Sequence, residues 1–170
     1  YAGYKSDKEL IVAVIDSGIC YEHPFFRGRL VAGNDFINYD PNCEDDNGHG
    51  THVSGIIVDC TRELDNIKIM PVKVLDSEGE GFLSVIASGI RYAADSGAKV
   101  LNISLGGSHS RTVDRAIMYA IENGCTPVVA AGNENEKIDS WYDCPAHISE
   151  AITVASVNSE MRKSVFSNYG

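Results

Sequence analysis

Apolar residues along this chain fall into short continuous runs separated by longer stretches of helical periodicity. Leu10-Ile11-Val12-Ala13-Val14-Ile15 is six apolar residues in a row, stopped by Asp16-Ser17-Gly18. A run of that length without alternation predicts a strand buried on both faces, and the Asp-Ser-Gly that follows predicts a turn. Lys68 to Leu75, Val100 to Leu105, Pro127 to Ala131 and Ala151 to Val157 are of the same kind, rich in β-branched residues or bounded by glycine and polar turns. Between them, His49 to Cys60, Phe82 to Ser96 and Thr112 to Asn123 predict helices. Leu83, Ile86, Ile90 and Ala94 recur at helical spacing in the second, and Gly97 and Gly124 stand where the C-termini of the last two belong.

Strands alternating with helices predict an α/β fold of three layers, a mostly parallel sheet with helices on both faces and ligand sites at the carboxyl ends of the strands. With 170 residues, 44% of them apolar, the chain can bury one sizeable core, and no repeat, linker or low-complexity tract divides it. One domain over residues 1–170 is expected. No stretch approaches the roughly 18 apolar residues of a membrane span. The 14 basic and 24 acidic residues, −10 net, are spread along the chain, which disfavours nucleic acid and anionic membrane as partners and tolerates a cationic substrate. Tyr1 opens without a basic-then-apolar signal segment, so any targeting segment or prosegment is expected to lie outside these residues.

Three segments carry candidate chemistry. Asp16 follows the first buried strand and so falls at the sheet edge where α/β proteins bind ligands, although Asp before Ser-Gly also fits a turn. Asn47-Gly48-His49-Gly50-Thr51-His52-Val53 puts two histidines among small residues at a helix start. An imidazole there, oriented by a carboxylate, can take a proton from a hydroxyl and return it to a leaving amine. His49 and His52 could also share a metal on one helix face, but no third ligand has recognisable spacing, and His52 is read as structural. Val128-Val129-Ala130-Ala131-Gly132-Asn133 runs a buried strand into an amide side chain, which fits an oxyanion donor or a turn asparagine. No glycine-rich phosphate loop follows the first strand, which disfavours nucleotide binding.

Taken together, these segments resemble the subtilisin-like serine proteases, the subtilases. Asp16-Ser17-Gly18 resembles the family's Asp box, His49-Gly50-Thr51-His52-Val53 its His box, and Ala130-Ala131-Gly132-Asn133 its oxyanion box. Asn102-Ile103-Ser104-Leu105-Gly106-Gly107 resembles the substrate-binding strand, and Pro71-Val72-Lys73-Val74-Leu75 with Gly79-Glu80-Gly81 resembles the opposite binding edge. The resemblance implies a subtilisin-like fold, peptide-bond hydrolysis by an Asp/His/Ser triad, and a peptide or protein substrate. By it Asp16 orients His49, His49 is the general base and Asn133 helps bind the oxyanion. Ser104, Leu105 and Gly106 would pair with an extended peptide, facing Gly79, Glu80 and Gly81, and Ala131 and Gly132 would flank the primary pocket. Asp143, ahead of Cys144-Pro145-Ala146, falls at that pocket's base and Glu134 at its rim, which together predict a preference for basic side chains; an ordinary solvated surface is the competing reading.

The family's Gly-Thr-Ser-Met-Ala box does not occur in the sequence, whereas Phe166-Ser167-Asn168-Tyr169-Gly170 resembles the segment that precedes it. The expectation is a domain lacking its C-terminal part, inactive alone, completed by the remainder of the same domain, and exposing apolar surface around Val128 and Ile152 that self-association or a partner chain would cover. The competing class is a non-catalytic subtilase-fold module that binds or regulates another protease.

Many subtilases bind calcium between an early aspartate and a loop after the histidine helix. Here Phe25 follows His23-Pro24 and the stretch from Cys60 to Ile67 is short, so no metal site and no cofactor is expected. Asp45 and Asp46 are read as a solvated acidic loop. The five cysteines, Cys20, Cys43, Cys60, Cys125 and Cys144, form no C-x-x-C pair. They read as buried free thiols, with a bridge from Cys20 to Cys43 or Cys60 left open. The resemblance implies a secreted or extracellular protein, and the odd cysteine count leaves the cytoplasm open.

Overall fold

A computed structural model describes residues 8–138 and 144–170. Its centre is a six-stranded parallel sheet in the order β2-β3-β1-β4-β5-β6. The strands are β1 (Leu10–Asp16), β2 (Asn34–Asp35), β3 (Ile67–Lys73), β4 (Val100–Ile103), β5 (Thr126–Ala130) and β6 (Ile152–Val154). Helices α1 (His49–Cys60), α2 (Leu83–Asp95) and α3 (Arg111–Glu122) lie between strands, and Pro24–Phe26 forms a short 3-10 helix.

The period-2 geometry of β1 explains the layers. Ala13 and Ile15 point into one core with Ile86 and Ile90 of α2 and Val113 and Ile117 of α3. Val12 and Val14 point into another with Val58 of α1, Phe26 and Ile19. Burial on both faces is what the uninterrupted apolar run required. α1 stops at Cys60 as expected and α2 and α3 each stop one residue earlier, at Asp95 and Glu122, with Gly97 and Gly124 following at φ of +89° and +80°.

Two elements escaped the sequence reading. β2 is only two residues and has no periodicity to read, and the 3-10 helix is held by Pro24 and by the Phe25 N–H donating to His23 Nδ1 at 3.3 Å. At the other edge, β6 is paired only with β5, and Ile152 and Val154 are more than half exposed. None of the five cysteines is bridged. Cys43, Cys125 and Cys144 are buried, but Cys20 is half-buried and Cys60 exposed, so the buried-thiol reading holds for three of the five. Burial pushes the Cys43 and Cys144 thiols up to about 11.

Because all strands are parallel, the carboxyl ends of β1, β3, β4 and β5 share one edge. That edge collects Asp16, the turn after Lys73, the segment after Ile103 and the loop after Ala130.

Candidate active site

Asp16 closes β1 with its side chain fully buried. One carboxylate oxygen accepts from Ser17 N–H at 2.7 Å. His49, the first residue of α1, brings Nδ1 to 2.8 and 2.9 Å from the two Asp16 oxygens, while 47% of its side chain stays exposed. A buried acceptor on Nδ1 fixes the tautomer that carries its proton there. That leaves Nε2, on the far side of the ring, as the basic nitrogen.

The start of α1 is built to reach that carboxylate. Gly50 packs so closely on the Asp16-Ser17-Gly18 turn that a Cβ would come within 2.3 Å of Gly18 O. Its N–H donates to Ser17 Oγ at 2.9 Å, and Ser17 Oγ donates to Asp45 at 2.8 Å. Asp45 also accepts from the N–H groups of Asn47, Gly48 and Thr51 and from Thr51 Oγ1. Burial would raise this carboxyl, but those donors outweigh it and draw it from 3.8 down to about 2. Asp46 bonds Lys73 Nζ at 2.5 Å, and the buried Lys73 ammonium also donates to Ser17 O at 2.6 Å. The expectation of a solvated acidic loop is corrected for Asp45, which braces the turn after Asp16 and the start of α1, whereas Asp46 remains half exposed while pairing with the buried Lys73. Their roles depend on residues up to 28 positions away, so no local pattern announces them.

His52 is exposed on α1 and takes no part in the Asp16–His49 pair. Asn133 is exposed at the end of the β5 loop, its own N–H donating to Glu134 Oε2 at 2.8 Å. Among the described residues its side-chain amide has no hydrogen-bond partner. The sequence reading missed Asn168 as the residue that holds this loop. Fully buried, it accepts from Glu134 N–H and Glu136 N–H at 3.0 and 2.9 Å and donates to Glu134 Oε2. Its motif was visible in the sequence, but its partner was not.

The remaining predicted residues line two adjoining cavities. One, of about 440 Å³, is walled by Ser104, Leu105, Gly106, Ala131, Gly132 and Asn133, with Glu134 and Glu136 at its margin. The other, of about 330 Å³, lies between Gly79, Glu80 and Gly81 on one side and Leu105 and Gly106 on the other. Among the described residues, the main chain of Leu105 and Gly106 makes no main-chain hydrogen bond, whereas Gly107 exchanges both of its own with Cys144 at 3.1 and 3.2 Å. Asp143 lies outside the described residues.

Calcium has no fit at the two places considered. Position 25 is a phenylalanine in the 3-10 helix, and only residues 61–66 join α1 to β3. A different cluster, not singled out from the sequence, gathers His109, Asp114 and His147.

A buried carboxylate that orients an imidazole recurs on unrelated folds. Comparison with known proteins decides among them: the model of the Subtilase family (peptidase S8) matches residues 7–170. The chain belongs to the subtilase family. Among curated relatives, this subtilase is 40% identical over 167 residues to Thermitase of Thermoactinomyces vulgaris, covering 94% of the chain and 59% of Thermitase. It is 41% identical over 160 residues to the Extracellular serine proteinase of Thermus sp. (strain Rt41A), covering 92% of the chain and 38% of that protein. The crystal structure of a cold-adapted subtilisin-like serine proteinase superposes with a TM-score of 0.84 at 35% identity, covering 99% of this chain and 63% of that one. The subtilase chain thus spans less than two thirds of the length of each of these relatives.

Proposed function

We propose that this chain is the acid-and-base portion of a subtilisin-type serine endopeptidase domain, in which the nucleophilic serine comes from residues outside these 170. The observation that carries the reading is the Asp16–His49 pair: a buried carboxylate on Nδ1 of a part-exposed imidazole at the carboxyl edge of the sheet.

In this reading the steps are those established for subtilisins. His49 Nε2 takes the serine hydroxyl proton as the oxygen attacks the peptide carbonyl, and Asp16 stabilises the imidazolium. Asn133 donates its side-chain N–H to the developing oxyanion, support worth about 10²–10³-fold in rate. The imidazolium then gives its proton to the departing amine as the C–N bond breaks, and water repeats the sequence to release the acid. The unpaired main chain of Leu105 and Gly106 offers a strand edge to an extended substrate, and Gly79, Glu80 and Gly81 form the facing side.

We further propose a preference for lysine or arginine at the cleaved position, supported by Glu134 and Glu136 lining one cavity and Glu80 lining the other. An extracellular location follows from the name of the Thermus relative, and no helix among the described residues is long and apolar enough to cross a membrane.

The test is a serine-directed fluorophosphonate on the full-length protein, followed by peptides that differ only at the cleaved residue. Label on a serine beyond residue 170 that disappears in His49→Ala is the expected result. Absence of label overturns the enzymatic reading in favour of a non-catalytic module. Faster cleavage after leucine or aromatic residues than after basic ones overturns the specificity alone.

A further inference from the structure

We propose that His109, Asp114 and His147 form a binding site for a divalent transition-metal ion of the zinc class, and that the ion ties together the two segments forming the shared wall of the cleft. The site lies apart from the Asp16–His49 pair and does not depend on the reading given for it.

The three residues reach one point from separate parts of the chain. His109 precedes Ser110, whose hydroxyl caps α3, and Asp114 sits in the first turn of that helix. His147 belongs to the turn after Cys144-Pro145. His109 Nε2 is 3.0 Å from Asp114 Oδ2, and His147 Nε2 is 3.4 Å from Asp114 Oδ1. The two imidazole rings are tilted toward each other with centroids 5.5 Å apart. One ligand atom from each residue falls within 4.8 Å of the others.

These spacings are those of a metal site. Tetrahedral zinc with bonds of 2.0–2.1 Å sets its ligand atoms about 3.3 Å apart. The two imidazole nitrogens lie 3.0 and 3.4 Å from the two different oxygens of Asp114, close to that spacing, and one ligand atom from each residue already falls within 4.8 Å of the others. The donor set selects the ion: two imidazoles and one carboxylate suit zinc, whereas calcium and magnesium require a shell of oxygens. The side chains keep 24%, 23% and 12% of their surface, so the site is open enough for entry and for water in a fourth position.

In the metal-free protein both Nε2–H groups can donate to Asp114. An ion bound through the Nε2 lone pairs takes the place of those protons, and each ring stays neutral with its proton on Nδ1.

The consequence for the cleft follows from the chain path. His109 stands two residues after Gly107 and His147 three after Cys144, and Gly107 and Cys144 are the residues paired across the wall common to both cavities. A metal bond beyond that pair would clamp it, so occupancy would set how far Leu105 and Gly106 can part from the 144–147 turn.

The test is equilibrium dialysis of Zn(II) against the protein at neutral pH under a phosphine reductant, with Co(II) absorption as a second readout. One ion per chain and a tetrahedral-type visible Co(II) spectrum are expected. His109→Gln combined with His147→Gln should weaken binding more than about tenfold, a loss at least as large as that from outer-shell changes. Asp114→Asn keeps the shape of the side chain and an acceptor for one ring while removing the charge, and should lose affinity with the circular dichroism spectrum unchanged. Cys60→Ser, which removes the exposed thiol, should leave binding intact. The proposal is overturned if the unaltered protein takes up no ion, if binding survives the histidine or Asp114 changes, or if Cys60→Ser abolishes it.

Discussion

Asn168 and Glu134, 34 residues apart in the chain, meet through a 2.7 Å hydrogen bond from Asn168 Nδ2 to Glu134 Oε2. The same Glu134 oxygen accepts from Asn133 N–H, so the buried amide reaches the proposed oxyanion donor through a single carboxylate. Gly132 lies under this contact, and a Cβ there would come within 2.4 Å of Asn168 Nδ2. Asn168→Leu removes the acceptor of two loop N–H groups and one of the two donors to the Glu134 carboxylate. The expected cost is about 1–3 kcal/mol in urea denaturation, with amide shifts concentrated in residues 131–136. An unchanged midpoint would remove Asn168 as the loop's anchor.

Asp16→Asn keeps the shape of the pair but lets the side chain donate to Nδ1, favouring the wrong tautomer of His49. In the full-length enzyme kcat should fall about 10⁴-fold at neutral pH, a magnitude carried over from subtilisin and chymotrypsin. The measurement is kcat with circular dichroism as a folding control. A loss under tenfold would mean that Asp16 does not orient the base.

Asp45 predicts an acid limb to stability. Its folded-state value of about 2 lies below the ordinary 3.8, so the unfolded chain binds the proton more readily. The stabilisation is therefore present above about pH 4 and is lost as pH falls toward 2. Asp45→Asn should lower the denaturation midpoint at pH 6 and flatten its decline between pH 4 and 2, measured as midpoint against pH for both proteins. Parallel curves would show that Asp45 contributes nothing to acid sensitivity.

Two glycines of α1 should respond oppositely to alanine. At Gly50 the new Cβ meets Gly18 backbone at 2.3 and 2.9 Å, so the helix must move and the Asp16–His49 distance with it. A loss of about 1–3 kcal/mol is expected, with activity reduced in the full-length enzyme. At Gly55 a Cβ meets nothing within 4 Å, and Gly55→Ala should be neutral or stabilise by up to about 1 kcal/mol. Thermal unfolding of the two variants decides.

What could be read without coordinates was local. Uninterrupted runs such as Leu10 to Ile15 and the spacing of Leu83, Ile86, Ile90 and Ala94 announce strands and helices because burial on two faces or on one stripe leaves a periodic trace. The Asp16–His49 contact was legible because one residue closes a strand and the other opens a helix, among small residues that let chain segments approach. Tertiary structure alone decided how distant side chains meet. It tied Asp45 to Ser17 and Thr51 and Asp46 to Lys73, gave Asn168 its hold on the loop after β5, and brought His109, Asp114 and His147 to one point. The physical reason is range: periodicity encodes which face of an element is buried, whereas a hydrogen bond or a metal-ligand geometry depends on which faces the crossovers bring together.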